Sequence, residues 1–232
     1  MQRKAIIIGA TGRIGQALVR ELSSLYATVI VISRTPPKYI SENTHVYTLS
    51  DFDNLTQTLS SVSLDEQTDA FCCLSAKFDE TGDEVLEKIY HSYPKAFAKA
   101  CHDKGVRRFF LLNMSDKAQY VGTLHQELTM LDWQMLSVFL VDKLTLPEKN
   151  YSLNVLSKKA LALLQQFLPH DKPLTPKQVG ISMALVAFWT LYDKNYVAIL
   201  KPEFVPNKKQ HVKGINYVSH EQMLNLTSVE KF

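Results

Sequence analysis

Cysteine is scarce in this chain, with 3 thiols in 232 residues, and an odd count leaves no complete set of pairs. Two of them, Cys72 and Cys73, are neighbours in "DAFCCLSA", a strand-like run whose successive side chains point to opposite faces, so they are poorly placed to bond each other. Packing thiols in a reducing cytoplasm are expected rather than a disulfide framework. Long apolar runs are missing too. No stretch nears the ~18 uninterrupted apolar residues that a spanning helix needs, so no membrane partner is expected, and "ISMALVAFWTLY" is expected to form a core helix. The four apolar residues before Gly9 are too short for the apolar region of a secretory signal, so export is not expected.

An excess of one charge is also absent. The 26 basic and 23 acidic residues leave a net charge of +3, spread along the sequence, which gives no field for capturing nucleic acid or a membrane surface. The densest basic stretch, "NKKQHVK" at 207–213, is expected to be a solvated loop. No H-E-x-x-H, G-x-S-x-G, C-x-x-C or P-loop occurs, and His102, His170, His211 and His220 lack ligand spacing, so no metal site is expected.

What is present is alternation. Strand-length apolar runs ("KAIIIG", "ATVIVIS", "THVYTLS", "DAFCCLS", "RRFFLLNM", "MLSVFLV") alternate with helix-length segments, which predicts an α/β fold with six parallel strands before residue 145. The first helix, from about Arg13 to Leu25, carries Ile14, Ala17, Leu18, Leu22 and Leu25 as its apolar stripe. Short and long helices are expected near Asn54–Ser61, Asp83–Asp103 and Gln119–Leu131, the long one kinked or split by Pro94. After residue 145 three prolines in "LPHDKPLTPKQVG" separate a helix ending near Leu168 from one beginning near Pro176, and "YVAIL" is a late strand candidate. Residues 146–232 are therefore expected to form a small, mostly helical lobe of the same domain, over the carboxyl edge of the 1–145 sheet.

Directly behind the first strand stands "GATGRIG", with Gly9, Gly12 and Gly15 three apart. A strand turning into a helix without side chains in the way aims backbone N–H groups and the positive helix end at one point, which suits a pyrophosphate. Gly9 would make the turn, Gly12 would admit the phosphates and Gly15 would let helix and strand pack closely. Thr11 would add a hydroxyl, and Arg13 and Ile14 complete the loop and first turn. After the second strand, where an acidic residue normally takes the adenine-ribose hydroxyl, Ser33 and Arg34 stand instead. A guanidinium can hold a 2′-phosphate bidentately, so NADP(H) is favoured over NAD(H).

These residues, with "SDFDNL" after the third strand and "FCCLSA" for the fourth, resemble the atypical short-chain dehydrogenase/reductases, in particular the NAD(P)-binding, NmrA-like group and its Tat-interacting-protein-like branch. The resemblance covers 1–145 and implies a Rossmann-like, doubly wound parallel sheet. It also implies Asp51 and Phe52 beside the adenine, and Leu74 and Ser75 along the ribose and nicotinamide. Active members carry a Ser or Thr after the fifth strand and Tyr-x-x-x-Lys on the next helix, the lysine lowering the tyrosine's pKa for proton transfer. Ser115 and Tyr120 match the first two, but the fourth residue after Tyr120 is Leu124, and none of the 10 tyrosines has a lysine four positions on. His125 is an alternative acid on that helix, while Asp116 and Lys117 are expected to be cap and solvent residues. The function expected is thus an NADP(H)-binding protein, either an unusual oxidoreductase on a small molecule or a non-catalytic dinucleotide sensor with a protein partner. A sugar-nucleotide epimerase stands third.

Overall fold

The apolar runs line up side by side. The computed structural model describes residues 3–76, 82–145, 172–192 and 212–228. Strands β1 (Lys4–Ile8), β2 (Thr28–Ser33), β3 (Thr44–Thr48), β4 (Thr68–Cys72), β5 (Arg108–Met114), β6 (Met135–Val141) and β7 (Asn216–Val218) form one parallel sheet in the order β3-β2-β1-β4-β5-β6-β7. Six strands before residue 145 are as the alternation predicts. The three residues of β7 are too short to leave a periodic signal, and they pair with Ser137–Phe139 of β6.

Strands β1, β2, β4, β5 and β6 are covered on both faces, which is why their sequences read as largely continuous apolar runs, whereas the edge strand β3 is partly exposed. Helix α1 (Arg13–Leu25) and the long apolar helix α7 (Pro176–Tyr192) lie over one face, with Ile7, Val31, Phe71, Phe110 and Phe139 beneath them. Helices α2 (Leu55–Ser60), α4 (Tyr93–Asp103) and α6 (Leu124–Leu128) cover the other, over Ile6, Ile32, Cys72, Phe109 and Val138. Cys72 and Cys73 fall in opposite cores and are both free, as their adjacency in a strand requires. Within α1 the stripe is Ile14, Gly15, Leu18, Val19 and Leu22. Leu25 is instead exposed at the helix end, and Ala17 meets α7, where an added Cβ on Gly180 would lie 3.0 Å from the Ala17 methyl. Only a residue without a side chain lets these two helices cross so closely.

The predicted long helix is α3 (Asp83–Glu87), a π-helical turn at Lys88–Ser92, and α4, with Pro94 in α4's first turn directly after the π turn. The helix predicted near Gln119–Leu131 is broken into α5 (Ala118–Val121) and α6 by Gly122, at φ 53°. Helix α7 packs on α1, and α8 (His220–Ser228) follows β7. The helix expected to end near Leu168 and the strand "YVAIL" lie outside the described residues, as does most of "NKKQHVK". Among the described residues no helix is long and apolar enough to cross a membrane, and no group of side chains has metal-ligand geometry.

Candidate functional site

The chain runs outward from β1 to β3 and then returns to the other side of β1 as β4, so the carboxyl ends of β1 and β4 flank the crevice where open α/β sheets bind ligands. The glycine loop sits in that crevice. Gly9 has φ 82°, and a Cβ there would lie 2.3 Å from the Cys73 carbonyl oxygen. A Cβ on Gly15 would lie 2.1 Å from the Gly9 oxygen. Both glycines are thus demanded by the fold itself. Gly12 differs: its Cβ would keep 3.4 Å from the Gly9 oxygen and 4.0 Å from Ser75 Oγ, ordinary contacts, so the backbone alone does not require glycine there. Gly12 is also the N-cap of α1, with no side chain capping the helix and no acidic residue in its first turn. The free N–H groups and positive end of a 13-residue helix therefore face the crevice, with exposed Thr11 and Arg13 beside them and Ile14 turned into the core.

The other expected residues gather along the same edge of the sheet. Arg34 follows β2, exposed, its guanidinium 6.0 Å over the Phe52 ring, and Phe52 packs against Tyr93 at 5.4 Å. Ser33 is buried and its hydroxyl donates to the Thr35 carbonyl at 2.7 Å, so it shapes the turn that carries Arg34 and its side chain is already engaged. Asp51 accepts from the Asp53 N–H at 2.9 Å and stands 3.5 Å from the Tyr93 hydroxyl. That hydroxyl is pushed up to about 12 by burial and by Asp51 and Asp53. Leu74 is half-buried and Ser75 exposed just past β4, beside Gly12.

Past β5, Ser115 Oγ donates to Asp142 Oδ1 at 2.5 Å, and the Tyr120 hydroxyl donates to Asp83 Oδ1 at 2.8 Å. The Tyr120 ring stacks on Tyr90, whose hydroxyl accepts from the Ala76 N–H at 3.1 Å, so Tyr90 belongs to the site although the sequence did not single it out. Lys117 pairs with Asp116 at 3.1 Å, and that carboxylate, with smaller contributions from Tyr90 and Tyr120, holds its ammonium above the usual lysine range. The break at Gly122 turns the next helix inward. Leu124, at the lysine position, is 1% exposed and packed into the core under α4, so no cation can stand there. His125 is corrected as well: it is 5% exposed and its Nδ1 meets the Tyr217 hydroxyl at 3.1 Å, beside the middle of β6 rather than with Ser115 and Tyr120 at the strand ends.

Asn113 is a further residue that the sequence reading missed. It is 2% exposed, and neither its amide nitrogen nor its oxygen has a hydrogen-bond partner among the described residues. It lines a cavity of about 10 Å³ with Cys72, Leu74 and Tyr90, just below the carboxyl ends of β4 and β5. A polar residue breaking an otherwise apolar strand run was the available signal.

Comparison with known proteins bears on the family and the fold. The family model of the NAD dependent epimerase/dehydratase family matches residues 5–120. No curated protein matches. Among solved structures, a short chain dehydrogenase family protein from Francisella tularensis is 14% identical, with a TM-score of 0.58 over 96% of this chain and 99% of that one. The Bordetella bronchiseptica enzyme WbmH, solved with NAD+, is 13% identical with a TM-score of 0.56 over 78% of this chain and 72% of its own. WbmG from the same organism, solved with NAD, is 13% identical with a TM-score of 0.53, and this chain spans 61% of its length. At such identities the likeness shows the fold.

Proposed function

The chain belongs to the NAD dependent epimerase/dehydratase family, and within it we propose an NADP(H)-binding protein that acts on a small molecule without the Tyr-x-x-x-Lys pair. One observation carries the binding: Gly12 is a glycine the fold does not need, at an uncapped helix end, in the crevice between β1 and β4. A side chain there would fill the space that a pyrophosphate must enter, whereas bare backbone leaves it open. The residues fit the dinucleotide. Gly9, Gly12 and the first turn of α1 would hold its phosphates, Phe52 would lie by the adenine, and Leu74 and Ser75 would follow the ribose. When bound, the nicotinamide supplies a two-electron hydride donor or acceptor.

The preference for the 2′-phosphate form rests on Arg34. It is exposed past β2, where an acidic residue would take a bare ribose hydroxyl, and no acidic group pairs with it among the described residues. Calorimetric titration with NADPH and NADH tests this. Arg34→Ala should weaken NADPH by roughly 1.5–3 kcal/mol, a charge-assisted hydrogen bond's contribution, and leave NADH unchanged. Equal losses for both, or stronger binding of NADH by the unaltered protein, would contradict it.

Leu124 in the core supports the second half of the reading. Without a lysine, proton handling falls to groups that do line the strand ends, Ser115 and Tyr120, and both are held by carboxylates rather than by a cation.

A further inference from the structure

Ser115 and Asp142 are the first residues past two adjacent strands, β5 and β6, which pair from Arg108↔Met135 through Met114↔Val141. That register brings the two side chains together at the edge where the candidate site lies. The contact is short, 2.5 Å between Ser115 Oγ and Asp142 Oδ1, with the hydroxyl as donor. A carboxylate offers only acceptor oxygens, so the serine proton is committed to it. What Ser115 then offers a ligand is a lone pair.

The segment carrying Asp142 is fixed by backbone contacts of its own. The Asp142 N–H donates to His220 Nδ1 at 3.3 Å, and the other ring nitrogen, Nε2, donates to the Lys172 carbonyl at 2.9 Å. Two residues on, Leu144 forms a parallel bridge with Leu174, the Leu174 N–H donating to the Lys143 carbonyl at 3.1 Å and the Thr145 N–H to the Leu174 carbonyl at 2.8 Å. The carboxylate is thus held from the backbone side while its side chain meets the serine.

We propose that Asp142 is a positioning residue that sets Ser115 as a hydrogen-bond acceptor, so that this site takes a substrate hydroxyl and prefers an alcohol to the matching carbonyl compound. The inference rests on the dinucleotide reading above. A serine free to donate would favour a carbonyl oxygen; one whose proton is already given away favours an O–H. In the oxidation of such an alcohol, the substrate O–H bond breaks and its proton passes to Ser115 Oγ as the serine proton passes to Asp142 Oδ1. An oxidised nicotinamide dinucleotide, when bound, would supply the two-electron acceptor for the hydride of the adjacent C–H bond, which balances the oxidation of the alcohol.

The test is binding, read by ligand-detected NMR on the protein saturated with NADP+, with matched probe pairs: propan-2-ol and acetone, cyclohexanol and cyclohexanone, 1-phenylethanol and acetophenone. At least one alcohol should bind about tenfold or more tighter than its ketone. Asp142→Leu leaves no acceptor for the serine proton, which is then free to donate to a carbonyl oxygen, and should reverse the preference. Asp142→Glu keeps a carboxylate and should keep the sign. A merely structural role for Asp142 would weaken both members of a pair alike. Preference for the ketones, no discrimination, no binding of any pair, or an unchanged preference in Asp142→Leu would each overturn the proposal. NADPH calorimetry on the same samples separates the two readings: normal NADPH affinity with any of those results overturns this inference alone, whereas loss of NADPH binding in the unaltered protein overturns the dinucleotide reading beneath it.

Discussion

Gly9, Gly12 and Gly15 look alike in the sequence and do different work in the fold. Gly9 and Gly15 are excluded from bearing a Cβ by backbone atoms 2.3 and 2.1 Å away, and Gly12 is not. The loop was legible because its spacing and its place after a strand fix what each position must do. Ser33 was less legible, since a hydroxyl beside Arg34 could as well face a ligand as close a turn, and only the Thr35 carbonyl at 2.7 Å decides between them. The cysteines allow a prediction at this scale. Burial pushes Cys72 up to about 12 and raises Cys73 and Cys101 well above the usual thiol range, so no appreciable thiolate forms near neutrality. Ellman's reagent at pH 8 should find no reactive thiol in the native protein and three after unfolding in guanidinium. A native thiol that reacts at the rate of free cysteine would contradict this placement.

Among the elements, strands were the easiest to read, because a strand buried on both faces writes a continuous apolar run. The α5–α6 region was the hardest. A single glycine inside a helical pattern is usually tolerated, so nothing local announces that Gly122 ends one helix and rotates the next by turning Leu124 and His125 inward. The cluster that joins α4 to α6 has its own signature. His91 stands between Glu87 and Glu127 at 3.1 and 3.0 Å, and Lys95 meets Glu127 at 3.0 Å. The Lys95 hydrogen bond, with His91 nearby, holds Glu127 below its ordinary value of 4.5. A carboxyl whose pKa is lowered in the folded state contributes stability above its unfolded value, and that contribution is lost as pH falls through the lowered one. Stability measured by urea unfolding should therefore drop more steeply below about pH 4.5 in the unaltered protein than in Lys95→Met, by the roughly 0.2–1 kcal/mol typical of surface pairs. Parallel curves for the two proteins would show that the pair contributes nothing.

Over the whole molecule, a buried charged network closes the end of the sheet opposite the crevice, on the face that α1 and α7 cover. Asp69 is fully buried at the start of β4, paired with Arg3, with Arg108 Nε at 2.9 Å and with the Tyr26 hydroxyl at 2.6 Å. Arg108 continues to the Ala187 carbonyl at 2.6 Å and to Thr190 Oγ1 at 3.1 Å, which fixes α7 to the sheet. Removing one partner of such a buried group typically costs about 3–5 kcal/mol. The sequence shows these charges only as isolated residues at strand starts, because their meeting depends on register between segments far apart. The alternation of strands and helices, by contrast, is a local signal repeated six times, so the parallel sheet could be read directly. The seventh strand could not.

The central claim is that the glycine loop in the crevice between β1 and β4 binds a dinucleotide, and Gly12 isolates it from the fold. The most direct measurement is NADPH calorimetry on the unaltered protein and on Gly12→Ala, with thermal unfolding of both. Nearly equal melting temperatures are predicted, with an NADPH affinity lowered roughly 10- to 100-fold in the variant, about 1.4–2.8 kcal/mol. Failure of the unaltered protein to bind, or equal affinity in Gly12→Ala, would contradict it.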